Sequence, residues 1–322
     1  METASKVLVL GATGGVGGEI AAALLRRGWQ VHALVRDPAK ARLPAGIERH
    51  SGDAMNAGDV MRAARGADVI VHAVNPPGYR NWQTLVLPMI DNTIAAARAT
   101  GARIVLPGTV YNYGPDAFPL LREESPQRPL TRKGAIRVEL ERRLERAAND
   151  GVRSLILRCG DFFGPQSGNN WFAAIAKPGR PLRSLSYPGQ RGLRHAWAYL
   201  PDVGETVAQL LERESELAMF ERFHFGGHWI DGDTLTGAIR QAAANPALPV
   251  RAFPWWLATL AAPFVVLFRE LREMRYLWRE PLQLDNRRLT GLLGAEPRTK
   301  LEQAVKTTLR GLGCLAPADA GG

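Results

Sequence analysis

The chain opens on a short apolar run, Lys6-Val-Leu-Val-Leu10, and then alternates two patterns. Apolar runs of strand length recur at Gln30–Val35, 47–50, Val69–His72, 104–106 and 154–158. Segments with apolar residues at helical spacing separate them: Ile20, Ala23, Leu24 and Arg27, then 60–65, 85–100 and Arg132–Asn149. The last has Ile136, Leu140 and Leu144 as its apolar stripe. Gly28, Gly66, Gly101 and Gly151 each follow a helical segment and precede a strand, the position where helices end. This alternation predicts an α/β fold, a doubly wound parallel sheet of the Rossmann kind with helices on both faces. Beyond residue 158 the pattern loosens into Gly/Pro-rich stretches up to 192, returns to a helix at 203–213 and a short strand at 222–225, and ends in helices. The expected organisation is a dinucleotide-binding domain at 1–165 and a smaller C-terminal substrate lobe at 166–322, with about 200–230 returning to the sheet. No internal repeat is visible.

The first strand runs directly into Gly11-Ala-Thr-Gly14-Gly-Val-Gly17. Many glycine-rich turns share this spacing, but here a strand precedes it and a helix and second strand follow. It is read as a phosphate turn: Gly11 takes a tight-turn conformation, Gly14 lets the backbone approach a pyrophosphate, and Gly17 lets the helix lie against the sheet. Free N–H groups at the helix N-terminus, around Thr13, Gly15 and Val16, complete the expected cradle. Arg36 closes the second strand, where an acid bonds the ribose 2′-OH of NAD and an Arg accommodates the 2′-phosphate of NADP. Asp37 precedes Pro38 and suits an N-cap. NADP is therefore the expected cofactor in preference to NAD.

Composition narrows the classes. With 322 residues, 46% hydrophobic and 22% charged, the chain can bury a large core. The net charge of +10 comes from 41 basic against 31 acidic residues, but the basic residues are scattered among Glu and carry no nucleic-acid-binding motif. Nucleic acid is not an expected partner; a small-molecule substrate is, with homodimer formation left open. Cys159 and Cys314 are far apart and belong to no metal-spaced cluster, and His224 and His228 lack the companions a metal would need, so no metal is expected. A reducing cytoplasm fits, since the N-terminus lacks a signal-peptide pattern. The stretch 253–268 is too short to span a membrane and contains Pro263. It reads as a buried helix pair over a pocket or at a subunit interface, with a peripheral membrane foot through Trp255 and Trp256 as the alternative.

Several segments together resemble the extended short-chain dehydrogenases/reductases, the NAD-dependent epimerases and dehydratases, over nearly the whole length. They are the glycine turn; Gly52-Asp53-Ala54 after the third strand; His72-Ala73-Val74-Asn75 after the fourth; Gly160-Asp-Phe-Phe-Gly-Pro165; Tyr199-Leu-Pro-Asp-Val203; and a tail from Leu284-Asp-Asn286 through Leu293-Gly294. The resemblance implies that Asp53 and Ala54 hold the adenine edge and that Ala73, Val74 and Asn75 pass the ribose. It places Thr109, in Pro107-Gly-Thr109-Val-Tyr-Asn-Tyr113-Gly114, where a hydroxyl bonds the substrate oxygen.

The family's usual Tyr-x-x-x-Lys is missing after Tyr113; at its offset stands Lys133-Gly-Ala-Ile-Arg137. The two side chains lie one helical turn apart on one face. This resembles the K-x-x-x-R arrangement of isoflavone-reductase-like atypical members, in which the lysine is the general acid/base. A lysine beside a second cation in a closed site has a lowered pKa, and Arg137 can hold a ribose hydroxyl or phosphate. The same pair also fits an ordinary charged helix face, with both residues solvated and paired to acids such as Glu141. Tyr113 and Tyr111 are candidates for a replacement phenol, or pack beneath the loop; His195 and Trp197 line a cleft or belong to the core. The expected activity is hydride exchange between a nicotinamide and a carbonyl or alcohol carbon, with Thr109 orienting the oxygen and Lys133 exchanging its proton. A nucleotide-sugar epimerase or dehydratase, and a non-catalytic NADP(H) sensor like the NmrA-like regulators, are the alternatives.

Overall fold

The computed structural model describes residues 4–76, 81–168, 170–262, 269 and 272–316. In chain order its strands are β1 (Lys6–Leu10), β2 (Gln30–Val35), β3 (Glu48–Ser51), β4 (Val69–His72), β5 (Arg103–Thr109), β6 (Leu120–Leu121) and β7 (Ser154–Cys159). They continue with β8 (Asp161–Phe163), β9 (Leu185–Tyr187), β10 (Arg194–Tyr199), β11 (Phe220–His224), β12 (His228–Asp231), β13 (Val250–Ala252) and β14 (Gln283–Leu284). The principal helices are α1 (Gly15–Arg26), α2 (Ala57–Ala63), α3 (Trp82–Thr100), α4 (Arg132–Asn149), α5 (Trp171–Ala176), α6 (Leu200–Leu211), α7 (Gly232–Ala242) and α8 (Trp255–Ala261).

Seven strands form one parallel sheet in the order β11-β7-β5-β4-β1-β2-β3. From β1 the chain builds outward through β2 and β3, then returns to build the other side from β4. The reversal falls between β1 and β4, and ligand crevices open beyond the carboxyl ends of strands at such a switch point. Both faces of β1 are sealed, as a doubly covered sheet demands. Val7 and Val9 join the core beneath α1 and α6, whereas Leu8 and Leu10 join the core beneath α2, α3 and α4. Arg27 ties α1 to α6 through ion pairs with Glu205 and Glu212. A third core of aromatics, including Phe163, Phe172, Tyr187 and Trp197, holds together the small sheets of the C-terminal lobe.

Element ends depart from the apolar pattern where polar caps decide them. Helix α2 begins at Ala57 rather than at Val60, because the Asn56 side chain accepts the Asp59 amide at 3.1 Å. The edge strand β3, Glu-Arg-His-Ser, is polar throughout and starts after the apolar Ile47. In the described part of 253–268, Trp256 and Leu260 of α8 are exposed by 68% and 66% while Ala258 and Ala262 are buried, so this helix is not enclosed within the chain and leaves an apolar face of the kind expected at a subunit interface. Residues 263–268 lie outside the described ones. Among the described residues no helix is long and apolar enough to cross a membrane.

Candidate functional site

A cleft of about 1390 Å³ opens at the carboxyl ends of β1, β2, β4 and β5, over the switch point. Its floor is the glycine turn. Gly11 has φ +91°, and a Cβ there would stand 2.5 Å from the Ala73 carbonyl oxygen. A Cβ on Gly17 would meet Gly11 O at 2.4 Å, so both glycines are required by backbone packing. Gly14 differs: its Cβ would meet only Gly11 O, at 3.3 Å, and otherwise faces the cleft. The Gly14 amide closes the turn on Gly11 O at 2.9 Å, and Gly14 O accepts the first helical amide, from Gly18. Thr13, Gly15 and Val16 line the same space. Gly15 also has a packing role not evident in the sequence, since a Cβ on it would stand 2.8 Å from Gln166 O of the facing loop.

At one end the wall is basic. Arg36 lines the cleft just past β2, joined by Lys40 and Arg42, which the motif reading did not include. Asp37 caps the turn between them, accepting the Ala39 and Lys40 amides at 3.2 and 3.4 Å and pairing with Lys40 Nζ at 3.0 Å. The Lys40 ammonium holds its carboxyl below the usual range. Asp53 Oδ1 accepts the Met55 amide at 2.9 Å, and the Ala54 carbonyl accepts from Asn92 at 2.9 Å, which fixes the 53–55 turn that borders this end.

Beyond β4, Ala73, Val74 and Asn75 line the middle of the cleft. Arg137, from α4, donates to Asn75 Oδ1 at 3.2 Å and lies 5.0 Å over the Trp82 ring. Thr109 and Tyr111 form the wall opposite. Lys133 and Arg137 are only 3% and 7% exposed, so the reading of a solvated helix face is excluded. The acid proposed for that pairing, Glu141, is instead ion-paired with the fully buried Arg158. Arg137 borders the cleft and Lys133 is not among its lining residues. Lys133 occupies the first turn of α4, capped by Thr131 Oγ1 on the Gly134 amide at 3.0 Å. That turn packs tightly on the Tyr111 segment: a Cβ on Gly134 would stand 2.2 Å from Tyr111 O.

Tyr113, a candidate phenol, is placed elsewhere. It is fully buried, takes a 2.6 Å hydrogen bond from Arg158 Nη1 and lies 3.1 Å from His224 Nε2. Burial pushes its hydroxyl up to about 12 and pulls His224 down to about 3, so this cluster is a neutral strut around the Arg158–Glu141 pair. His195 and Trp197 are core residues. His195 nevertheless bonds a residue that sequence reasoning passed over: its Nε2 lies 2.7 Å from Oδ2 of Asp161, which lines the cleft.

Away from the cleft, the β2/β3 register brings His32, Glu48 and His50 together, with His32 Nδ1 2.7 Å from His50 Nε2 and 3.5 Å from Glu48 Oε2. These three could hold a metal ion. Chain spacing concealed them, because strand pairing gathers residues that ligand-motif spacing does not.

The geometry agrees with comparisons to known proteins. Residues 11–162 match the family model described as NAD(P)H-binding. A 3-diazoavenalumate denitrifying reductase from a Streptomyces species is 32% identical over 179 residues, covering 51% of this chain and 58% of that protein. A dTDP-6-deoxy-L-talose 4-dehydrogenase (NAD(P)(+)) from Kitasatospora kifunensis is 28% identical over 202 residues, 59% of this chain and 63% of that one. The chain thus spans about three fifths of the length of these relatives. The structure of UDP-N-acetylglucosamine 4-epimerase from Bacillus cereus superposes with a TM-score of 0.73 over 98% of this chain and 99% of that one, at 15% identity, which shows the shared fold. With a glycine turn that leaves room for phosphates and a cleft that can take a dinucleotide, residues 11–162 carry the match to the NAD(P)H-binding family model, and the chain has the fold of the epimerase structure.

Proposed function

We propose that the protein is an NADP-dependent oxidoreductase acting on a carbonyl or alcohol group of a small-molecule substrate. The observation that carries this reading is the sharing of one cleft by the glycine turn, the Arg36/Lys40/Arg42 cluster and the Thr109/Arg137 pair. When bound, the cofactor supplies a hydride donor or acceptor at nicotinamide C4. Gly14 leaves room for the pyrophosphate, and the backbone amides of Gly15 and Val16 at the helix N-terminus hold it. Arg36, supported by Lys40 and Arg42, meets the 2′-phosphate through charge-assisted bonds that a ribose hydroxyl does not return. Arg137, oriented by Asn75 and Trp82, holds the nicotinamide-side ribose. The Thr109 hydroxyl donates to the substrate oxygen, and Lys133, set behind the cleft wall, exchanges the proton at that oxygen through one water. The reductase and dehydrogenase names of the two relatives support this class of chemistry.

Tyr111 gives a second reading for the proton, because it lines the cleft beside Thr109 whereas Lys133 does not. The test is NADPH oxidation across a panel of aldehydes and ketones, with Lys133→Met, Tyr111→Phe and Thr109→Ala compared. Loss of kcat in Lys133→Met with unchanged NADPH affinity supports the lysine. Normal turnover in Lys133→Met together with loss in Tyr111→Phe transfers the role to the phenol. A protein that binds NADPH and oxidises it with none of the panel is a sensor of the NADP/NADPH ratio, and the oxidoreductase reading fails.

A further inference from the structure

The substrate end of the cleft carries a carboxylate and aromatic walls. Asp161, at the start of β8, lines the cleft and is only 7% exposed. His195 lies 2.7 Å from its Oδ2, and His195 is itself 3% exposed and stacked on Trp278, with centroids 4.0 Å apart and planes 14° from parallel. Both members of this pair are therefore held in place. His195 engages Oδ2, and Asp161 Oδ1 has no hydrogen-bond partner among the described residues.

One wall of the cleft is an indole ring. Trp171, from α5, lines the cleft and is braced by Trp278 at 5.2 Å and Phe253 at 6.0 Å, both edge-on. An indole wall held in this way favours a planar ring, which gains offset or edge contacts beyond simple area burial.

The distribution of charge is equally selective. Among the described lining residues three of the four basic ones, Arg36, Lys40 and Arg42, cluster after β2, and the fourth, Arg137, is engaged by Asn75 and Trp82. At this end the Asp161 side chain brings a carboxylate, not a cation, to the cleft. A nucleoside diphosphate brings two or more negative charges, and sites that bind it present cations or backbone amides to them. Among the described lining residues at this end, neither a free cation cluster nor a second glycine turn meets it.

We propose that the substrate is a phosphate-free aromatic compound whose hydroxyl or amino group donates to Asp161, and that nucleoside-diphosphate-linked sugars are excluded. Asp161 is then the specificity-determining residue and His195 its positioning residue. This rests on the reading of the cleft as an NADP-dependent redox site.

The experiment is calorimetric titration of NADP⁺-saturated protein with a panel of hydroxyaryl and aminoaryl alcohols and, separately, with UDP-glucose. Wild type is expected to bind members of the aryl panel and to give no heat with UDP-glucose. Asp161→Asn, which keeps the shape and removes the charge, should weaken the aryl compounds about tenfold, ~1.4 kcal/mol. His195→Gln should weaken them by less. NADP⁺ affinity is measured on the same samples: retention by Asp161→Asn shows an intact fold, and failure of wild type to bind NADP⁺ sinks the redox reading separately from this one. Binding of UDP-glucose to wild type, no binding by any aryl compound, or aryl affinities unmoved by Asp161→Asn each overturns the proposal.

Discussion

Arg137 Nη2 donates to Asn75 Oδ1 at 3.2 Å, and this bond ties α4 to the segment that leaves β4 at the centre of the cleft. Because the Trp82 ring lies beneath the same guanidinium, Arg137 is held in one orientation before any ligand arrives. Removing it should weaken binding more than it weakens the fold. Arg137→Ala is expected to lower NADP⁺ affinity about tenfold, ~1.4 kcal/mol, in a tryptophan-fluorescence titration. Arg137→Lys, which keeps the charge and loses the planar fork, should recover only part of that loss.

Gly14 and Gly17 separate binding from folding. Gly14→Val projects into the cleft and should abolish cofactor binding in a protein with an ordinary urea-denaturation midpoint. Gly17→Ala forces a Cβ to 2.4 Å from Gly11 O and should destabilise the fold by a few kcal/mol, on the scale of overpacked positions. Equal effects of the two on stability would show that the turn is purely structural.

The Tyr113 hydroxyl bonds Arg158 in a buried cluster, so Tyr113→Phe should cost ~1 kcal/mol of stability and leave kcat and NADPH affinity unchanged. Glu141→Ala strips Arg158 of its ion-pair partner and should cost ~3–5 kcal/mol, since it leaves a buried charge uncompensated. Urea denaturation checks both. A kcat lost in Tyr113→Phe would return the phenol to the chemistry.

Buried histidines set the acid limit of stability. Burial, reinforced by Arg137 at His72 and by Arg158 at His224, pulls both from an ordinary 6.5 down to about 3. Between those values the unfolded chain binds protons that the folded chain refuses. Their contribution is complete above pH 6.5 and declines as pH falls, by ~1.4 kcal/mol per pH unit for each histidine. His224→Gln should therefore show a shallower loss of stability than wild type between about pH 6 and pH 4.

Much of the fold was legible because a parallel sheet writes itself in short apolar runs punctuated by glycine. Gly28, Gly66, Gly101 and Gly151 all have positive φ in the structure, and Gly101 caps α3 in the left-handed conformation. The glycine turn was legible for the same reason: strand, turn and helix are contiguous. What the chain concealed depends on distant pairing. Asp161 and His195 meet through their placement on neighbouring strands, and His32, Glu48 and His50 through strand register. Tyr113 could not be assigned from spacing, because its neighbours Arg158 and His224 come from β7 and β11. Lys40 and Arg42 carried a local signal, two more cations within six positions of Arg36, which a reading focused on the strand's last residue overlooked.

The central claim, a cleft built for NADP, is tested most directly by titrating NADPH and NADH into wild type and Arg36→Ala under the same ionic conditions. The account predicts that wild type binds NADPH at least about tenfold more tightly than NADH, ~1.4 kcal/mol, and that Arg36→Ala loses most of this preference while its NADH affinity stays nearly constant. Equal affinities of wild type for the two cofactors, or a preference for NADPH that survives Arg36→Ala undiminished, would contradict it.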